Sequence, residues 1–271
     1  MVSSASITCM TIAAMVAIGL PVGLFLGLRK RFGLRVVPLL IGAAVFVVFA
    51  VILEGELLHP LVLRPDENGV IELLTNSPWL FVAYGALAAG VFEETGRLVG
   101  FTLLRRRFAG VRTAVSYGIG HGGMEMILVL GLGMVSNITL AMLINTGGSD
   151  QVFAGLPEGQ AAALTQALTE TAPQLFLLGI VERVFALVVQ LSLSILVWIA
   201  VTHAGRRWLF PLAVALHALV DVPAACAQAG LLSTTWAEII LTLCALALGA
   251  YALRWWRRML GEERLAVDAA H

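Results

Sequence analysis

Charge is the scarcest thing in this chain. Asp, Glu, Lys and Arg make up 13% of its 271 residues, whereas a soluble domain carries roughly 25%. So few charges cannot cover a water-facing surface of that size, which excludes a soluble globular fold. Net charge is zero and no basic face runs along a helix, so nucleic acid is excluded as a partner. Cys-x-x-Cys spacing is missing. Cys9, Cys226 and Cys244 stand alone in apolar sequence and read as small packing residues, not disulfide partners or ligands. There is no low-complexity tract, no evident repeat, and no His-Glu-x-x-His helix of the zinc peptidases. The opening MVSSASITCM has no basic stretch ahead of its apolar run. A cleaved signal peptide is therefore not expected, and the first helix stays as an anchor.

What is abundant is apolar sequence, 59% of the chain. Runs long enough to cross ~30 Å of hydrocarbon at ~1.5 Å per residue fall near 6–28, 37–58, 79–104, 113–135, 174–203, 208–230 and 233–256. The expectation is an all-α polytopic membrane protein, one integral domain over 1–271 with about seven transmembrane helices. Basic residues cluster at 29–35, 105–112, 205–207 and 254–264, alternating with acid-bearing loops at 64–72, 147–160 and 233–238. The positive-inside rule puts the basic loops in the cytoplasm, so the N-terminus is expected outside and the C-terminus inside. Trp255 and Trp256 beside Arg254, Arg257 and Arg258 fit an interfacial belt. The tract 113–146 is too long for one crossing, and a break is expected at GLGMVSN (131–137).

Against this background VFEETGRLVG (91–100) is anomalous. The ionisable residues inside the spans are Glu93, Glu94, Arg97, His121, Glu125, Glu182, Arg183, His217 and Asp221. Each charge at mid-bilayer costs ~2.5–3.5 kcal/mol on insertion scales, so such residues face one another or water and mark function by default. Counted from the basic clusters, Glu93, His121 and His217 all lie ~14–18 Å from the inner surface. Three helices thus deliver a carboxylate and two imidazoles to one level. Glu93 and Arg97 are i,i+4 and Glu94 and Arg97 i,i+3, so the guanidinium can neutralise one carboxylate and leave the other available. His121 with Glu125, and His217 with Asp221, are i,i+4 and are expected to pair, the carboxylate fixing the imidazole tautomer. The glycines of GIGHGGME remove side chains beside His121, for close helix packing or close approach of a peptide.

EETGR at 93–97, GHGGMEM around His121 and HALVD at 217–221, in that order on successive helices, resemble the CAAX-prenyl-protease and bacteriocin-processing superfamily. Within it the FEETGR and GIGHGGMEM wording is most similar to the YhfC family of intramembrane proteases. The resemblance covers roughly 80–225, the expected catalytic core. The chain departs from the superfamily pattern in having two residues, Thr95 and Gly96, between the glutamate pair and Arg97 instead of three. It has Tyr117 in place of Phe four residues before His121, and Asp221 in place of the commoner Asn. The resemblance implies an intramembrane endopeptidase. Glu93 would activate water, His121 would help hold or protonate, His217 with Asp221 would stabilise the oxyanion, and Arg97 would set the charge of Glu94; Glu125 joins the expected site by its i,i+4 spacing to His121.

Peptide hydrolysis needs a water, a base and oxyanion donors. The same residues also make a His2Glu zinc set with an open position. The metal-free glutamate mechanism is the expectation, with no cofactor and no assigned metal ligand; zinc is the alternative. The expected partners are the bilayer and a membrane-embedded or membrane-associated peptide. A proton-coupled transporter also places such groups at the midplane, and interhelical pairing without chemistry is the structural alternative. Glu182 and Arg183 read as a buried pair well above the site, a structural link or vestibule lining as readily as catalysis. Gln190 and Ser194 come nearer site depth and could line a cavity or tie helices. Glu54 and Glu56 read as interfacial, His59 and His271 as solvated, His203 as a helix-end residue, and the Asn137 sequon as chance.

Overall fold

A computed structural model describes residues 1–66, 69–156 and 159–268; His271, Glu67 and Glu158 lie outside the described residues. Seven long helices dominate: α1 (Ser4–Phe32), α2 (Val36–Leu63), α3 (Pro78–Leu104), α4 (Arg112–Thr146), α5 (Leu175–Thr202), α6 (Leu209–Gln228) and α7 (Thr234–Asp268). Short helical turns at Glu72–Asn76, Ser149–Phe153 and Gln160–Glu170 fill the connections, and no strand occurs among the described residues. The chain is an all-α, multi-pass integral membrane protein. Among the described residues six helices are long and apolar enough to cross a membrane. The other, α3, is 27 residues long but carries Glu93, Glu94 and Arg97.

Local chemistry sets the ends. The Ser3 hydroxyl caps α1 by accepting from the Ser6 amide at 3.0 Å, and Gly33 closes it in the left-handed conformation at φ 65°, where a Cβ is disfavoured. Arg29, Lys30 and Arg31 in that last turn complement the negative end of the helix dipole. The break expected at 131–137 does not occur. Instead α4 loosens into a wide turn at Ile127–Leu132 and continues to a left-handed cap at Gly147. One extra residue per turn absorbs Gly131 and Gly133 without ending the helix, so the tract is one 35-residue helix. A longer wide-turn stretch, Val47–Leu58, lies inside α2. Likewise α7 runs past the expected end at 256 to Asp268. Its last turns are held by Arg206, which donates to both Glu262 oxygens at 2.6 and 3.0 Å and lies 5.3 Å from the Trp255 ring.

With lipid on the outside, apolar burial gives helices little reason to associate, and close packing and hydrogen bonds must do it. The principal pairings are α3 with α6, α2 with α4, and α5 with both α4 and α7. At the α2–α4 crossing Gly42 faces the Tyr117 carbonyl and Gly120 the Leu39 carbonyl, backbone against backbone, with no room for a Cβ. Helix α5 is the centre: 72% of its apolar window is buried, against 17–44% for the other apolar spans. Its Leu193, Leu196, Trp198 and Ile199 pack with Phe101, Tyr117 and Leu209 in the main cluster.

The two ends of the bundle differ. At one end the basic segments converge: the Arg35 amide donates to Ser116 Oγ at 3.0 Å, Arg105 to the Val201 carbonyl at 2.9 Å, and the Val111 amide to Glu263 at 2.7 Å. At the other, Val2 and Asn145 exchange two hydrogen bonds of 2.7 and 2.9 Å. The N-terminus and the end of α7 therefore lie at opposite ends.

Candidate active site

Five of the charged residues that the sequence places inside the spans meet at one point. Helix α3 presents Glu93, Glu94 and Arg97 on the face against α6 and α5. Gly90, one turn earlier, allows this, since a Cβ there would stand 2.8 Å from the Val214 carbonyl of α6. Glu94 and Arg97 are fully buried and bonded to each other through Arg97 Nη1 and Glu94 Oε1. The Glu94 carboxylate also accepts from His217 Nδ1 of α6 at 2.6 Å. That bond fixes the His217 tautomer and leaves Nε2 facing Glu93 Oε1 at 3.9 Å and Asp221 Oδ2 at 3.5 Å. Glu93 Oε2 accepts from His121 Nε2 of α4 at 2.8 Å and from Gln190 Nε2 of α5 at 3.2 Å. The two adjacent carboxylates thus separate: Glu94 is sealed behind Arg97 and His217, and Glu93 faces the interior cavity.

His121 is held from behind by aromatic rings, Tyr117 stacked at 5.9 Å and Phe46 edge-on at 5.3 Å. Gln190 is the hub. Its amide oxygen accepts from Arg97 Nη2, and its amide nitrogen donates to Glu93 and, at 2.5 Å, to Glu125 Oε2. A Cβ on Gly122 would stand 2.8 Å from the Gln190 Cβ, so that glycine serves the packing of α4 on α5. The expected His121–Glu125 pair does not form. The wide turn beginning at Ile127 and the pull of α5 direct Glu125 to Gln190 and to Arg183 Nη1, at 2.8 Å, while His121 turns to α3. His217 and Asp221 lie at ion-pair distance, with the stronger bond of His217 going to Glu94.

Arg183 bonds Glu182 as well, so the pair expected to stand apart is one end of a continuous polar chain from Glu182 through Arg183, Glu125 and Gln190 to Glu93 and Arg97. Glu54, expected at the interface, is instead buried, 3.6 Å from His59 Nε2 and within electrostatic reach of Glu93, His217 and Asp221. His59 is half-buried, with Nδ1 2.8 Å from the Tyr84 hydroxyl. Sequence reasoning noted Gln190 without seeing its centrality; the available signal was a lone amide in a 28-residue apolar helix. For Glu54 the only signal was a carboxylate preceding the end of a span.

A cavity of about 300 Å3 rises from this point. Glu93, His217, Gln190 and Glu125 form its floor, and Arg183, Glu182, Asp221, His59 and Gln228 line it upward, among alanines of α3, α5 and α6. The cavity therefore joins the buried charges to the end of the bundle opposite the basic clusters. Paired carboxylates and imidazoles, braced by a guanidinium and opening on a polar cavity, form a buried polar cluster inside a helical membrane bundle, with residue types that acid–base or metal chemistry uses.

The comparisons with known proteins agree with that class. The profile of the YhfC intramembrane metalloprotease family matches residues 15–242. A Bacillus subtilis (strain 168) protein described as the uncharacterized membrane protein YhfC is 37% identical over 254 residues, covering 93% of this chain and 96% of the relative. The chain belongs to the YhfC family. No solved structure matches it.

Proposed function

We propose that the chain is an intramembrane endopeptidase that hydrolyses a peptide bond of a membrane-embedded or membrane-associated substrate at the foot of the 300 Å3 cavity. The observation that carries this reading is Glu93, braced on Oε2 by His121 and Gln190 and open on Oε1 to His217 and the cavity. The basic end of the bundle faces the cytoplasm by the positive-inside rule, with the N-terminus outside, and the cavity opens toward the outer side. The catalytic core is the bundle segment 80–225.

The family description implies a metal, and the donor chemistry fits one. Two imidazoles and a carboxylate are a catalytic zinc set, and a carboxylate on the far nitrogen, as Glu94 is on His217, orients such an imidazole. His121 Nε2 stands 2.8 Å from Glu93 Oε2 and His217 Nε2 3.9 Å from Glu93 Oε1, against ~3.3 Å between tetrahedral zinc ligands; the two imidazoles face different oxygens of one carboxylate. Among the described residues no three His, Cys, Asp or Glu side chains already stand as a coordination group, so an adjustment of these donors is required. Glu93, His121 and His217 would hold the ion, which when bound polarises the scissile carbonyl and acidifies a water.

The chain's own residues orient and move protons. Arg97 pairs with Glu94, and Glu94 in turn accepts from His217 Nδ1–H. Gln190 pins Glu93. Asp221, its side chain 36% exposed beside His217 Nε2, takes the proton of the attacking water at Oδ2 and returns it to the leaving amine. Phe46 and Tyr117 keep water from the back of His121.

A second reading rests on the direct Glu93–His121 hydrogen bond. Here Glu93 itself takes the water proton as oxygen attacks the carbonyl carbon, the C–N bond breaks, and His121 relays the proton to the amine. His217 stabilises the oxyanion. Metal content and cleavage of a fluorogenic membrane-peptide panel, for wild type, Glu93→Gln and His121→Ala, separate the readings. One zinc per chain that is lost with His121→Ala supports the first. Cleavage without stoichiometric metal, abolished in both variants, supports the second. No cleavage of any peptide overturns both and favours proton-coupled transport.

A further inference from the structure

The basic end of the bundle contains a second, separate cavity of about 280 Å3. Two connections and one helix start build it: Arg35 comes from the α1–α2 turn, Arg107 from the α3–α4 connection, and Arg112 from the start of α4, with Thr113 and Ser116 also lining it. The left-handed turn at Gly33 and the bond from the Arg35 amide to Ser116 Oγ bring these segments together. Among the described residues no carboxylate lines the cavity; Glu262 and Glu263 line the adjoining one, which shares Phe108 and Ala109. The nearby acids are engaged elsewhere, Glu263 by the Val111 amide and Glu262 by Arg206 and Arg258. Among the described residues none of the three guanidiniums has an ion-pair partner, as for most arginines at this end, where Arg206 and Arg258 are paired. All three arginines are solvent-exposed, so water and salt screen their mutual repulsion; what marks the place is three guanidinium forks around one cavity, which match phosphate oxygens.

We propose that this cavity binds a phosphate group, as a phosphodiester of an anionic lipid headgroup or as free phosphate. Basic pockets between helices at this membrane face are the kind that hold anionic headgroups. The site is independent of the protease chemistry, and its test needs no activity.

The full chain, purified in phosphatidylcholine nanodiscs, is unfolded thermally with increasing phosphatidylglycerol, and separately with inorganic phosphate at constant ionic strength set by chloride. The proteins are wild type, Arg35→Gln/Arg107→Gln/Arg112→Gln, Arg107→Gln alone, and a control with Arg254→Gln/Arg257→Gln at the same end. Binding raises the wild-type midpoint by about 2–4 °C. That shift disappears in the triple variant, shrinks in the single variant, and persists in the control. A shift with phosphatidylglycerol alone identifies a lipid headgroup, and one with inorganic phosphate identifies a soluble anion. No shift with either, or equal shifts in wild type, triple variant and control, overturns the proposal. If the triple variant does not fold, an undiminished shift in Arg107→Gln does the same.

Discussion

The polar network divides into two halves that differ in what surrounds them. In the sealed half, Glu94, Arg97 and His217 are at most 3% exposed and bond mainly to one another. In the open half, Glu125, Arg183, Glu182 and Asp221 have side chains 13–36% exposed and line the cavity. Glu93 and Gln190 sit at the join. Two neighbouring carboxylates on one helix are thus placed in opposite circumstances, Glu94 as a buried counter-charge to Arg97 and Glu93 as a group on the cavity lining. The difference teaches that charge inside this bundle has two settings, and on the proposed reading the groups that line the cavity, the Nε2 side of His217 among them, are the ones placed to meet a substrate. Substitutions in the two halves should therefore fail in different ways.

The largest stability effect is expected from Arg97→Leu. It strands the Glu94 carboxylate in a buried site, which costs about 3–5 kcal/mol, and it also removes the Gln190 bond. Denaturant or thermal unfolding in detergent should show a protein that is marginal or unfolded, with activity lost for that reason. Glu93→Gln should do the converse. The amide is isosteric and faces the cavity, so the unfolding midpoint stays near that of wild type while peptide cleavage falls by about 10²–10⁴-fold. Should Glu93→Gln unfold as readily as Arg97→Leu, the division into halves is wrong.

Much of this was legible in the sequence, because the bilayer makes the rules few. Each of the seven apolar runs became a long helix, and mid-span charges had to meet partners, so Glu93, Glu94, Arg97, His121 and His217 could be brought to one level by counting residues. The partners within that level could not be counted out. The i,i+4 rule paired His121 with Glu125, yet interhelical contacts won: the backbone crossing at Gly42 and Gly120 sets how α4 presents His121, and Gln190 on α5 captures Glu125. Depth failed for Arg183 for a similar reason. A long guanidinium side chain reaches well beyond its Cα level, and the wide turn at 127–132 shifts α4 relative to a straight count. Glu54 was misplaced at the interface because nothing in a run of residues announces the wide turn of α2 that buries it.

Gln190→Leu probes the join. It leaves Arg97, Glu93 and Glu125 each short of a partner, at about 1–3 kcal/mol in total if the groups relax toward the cavity. Activity should fall about 10–100-fold, as losses of such supporting bonds do. The discriminating readout is Gln190→Glu. It keeps the shape but places a third carboxylate beside Glu93, so it should weaken the protein more than leucine does. If glutamate is tolerated better than leucine, the hub is a spacer and its hydrogen bonds are not what holds Glu93.

The smallest effect is expected at the cavity mouth. Among the described residues Glu182 bonds only Arg183, and its side chain is 32% exposed; such pairs contribute ~0–1 kcal/mol. Glu182→Gln should leave the unfolding midpoint within error of wild type. It should leave kcat nearly unchanged, because Arg183 keeps its bond to Glu125 and the floor of the cavity is not disturbed. What should move is KM, by a few-fold, since the mouth loses one negative charge along the route a peptide takes to Glu93. The sign of that change depends on substrate charge, so a pair of peptides differing only in Lys against Glu at the same position gives the sharpest reading. Removing Glu182 should narrow the preference for the lysine peptide. A loss of kcat equal for both peptides would instead mean that the open half is coupled to the chemistry through Arg183 and Glu125, and that the two halves act as one.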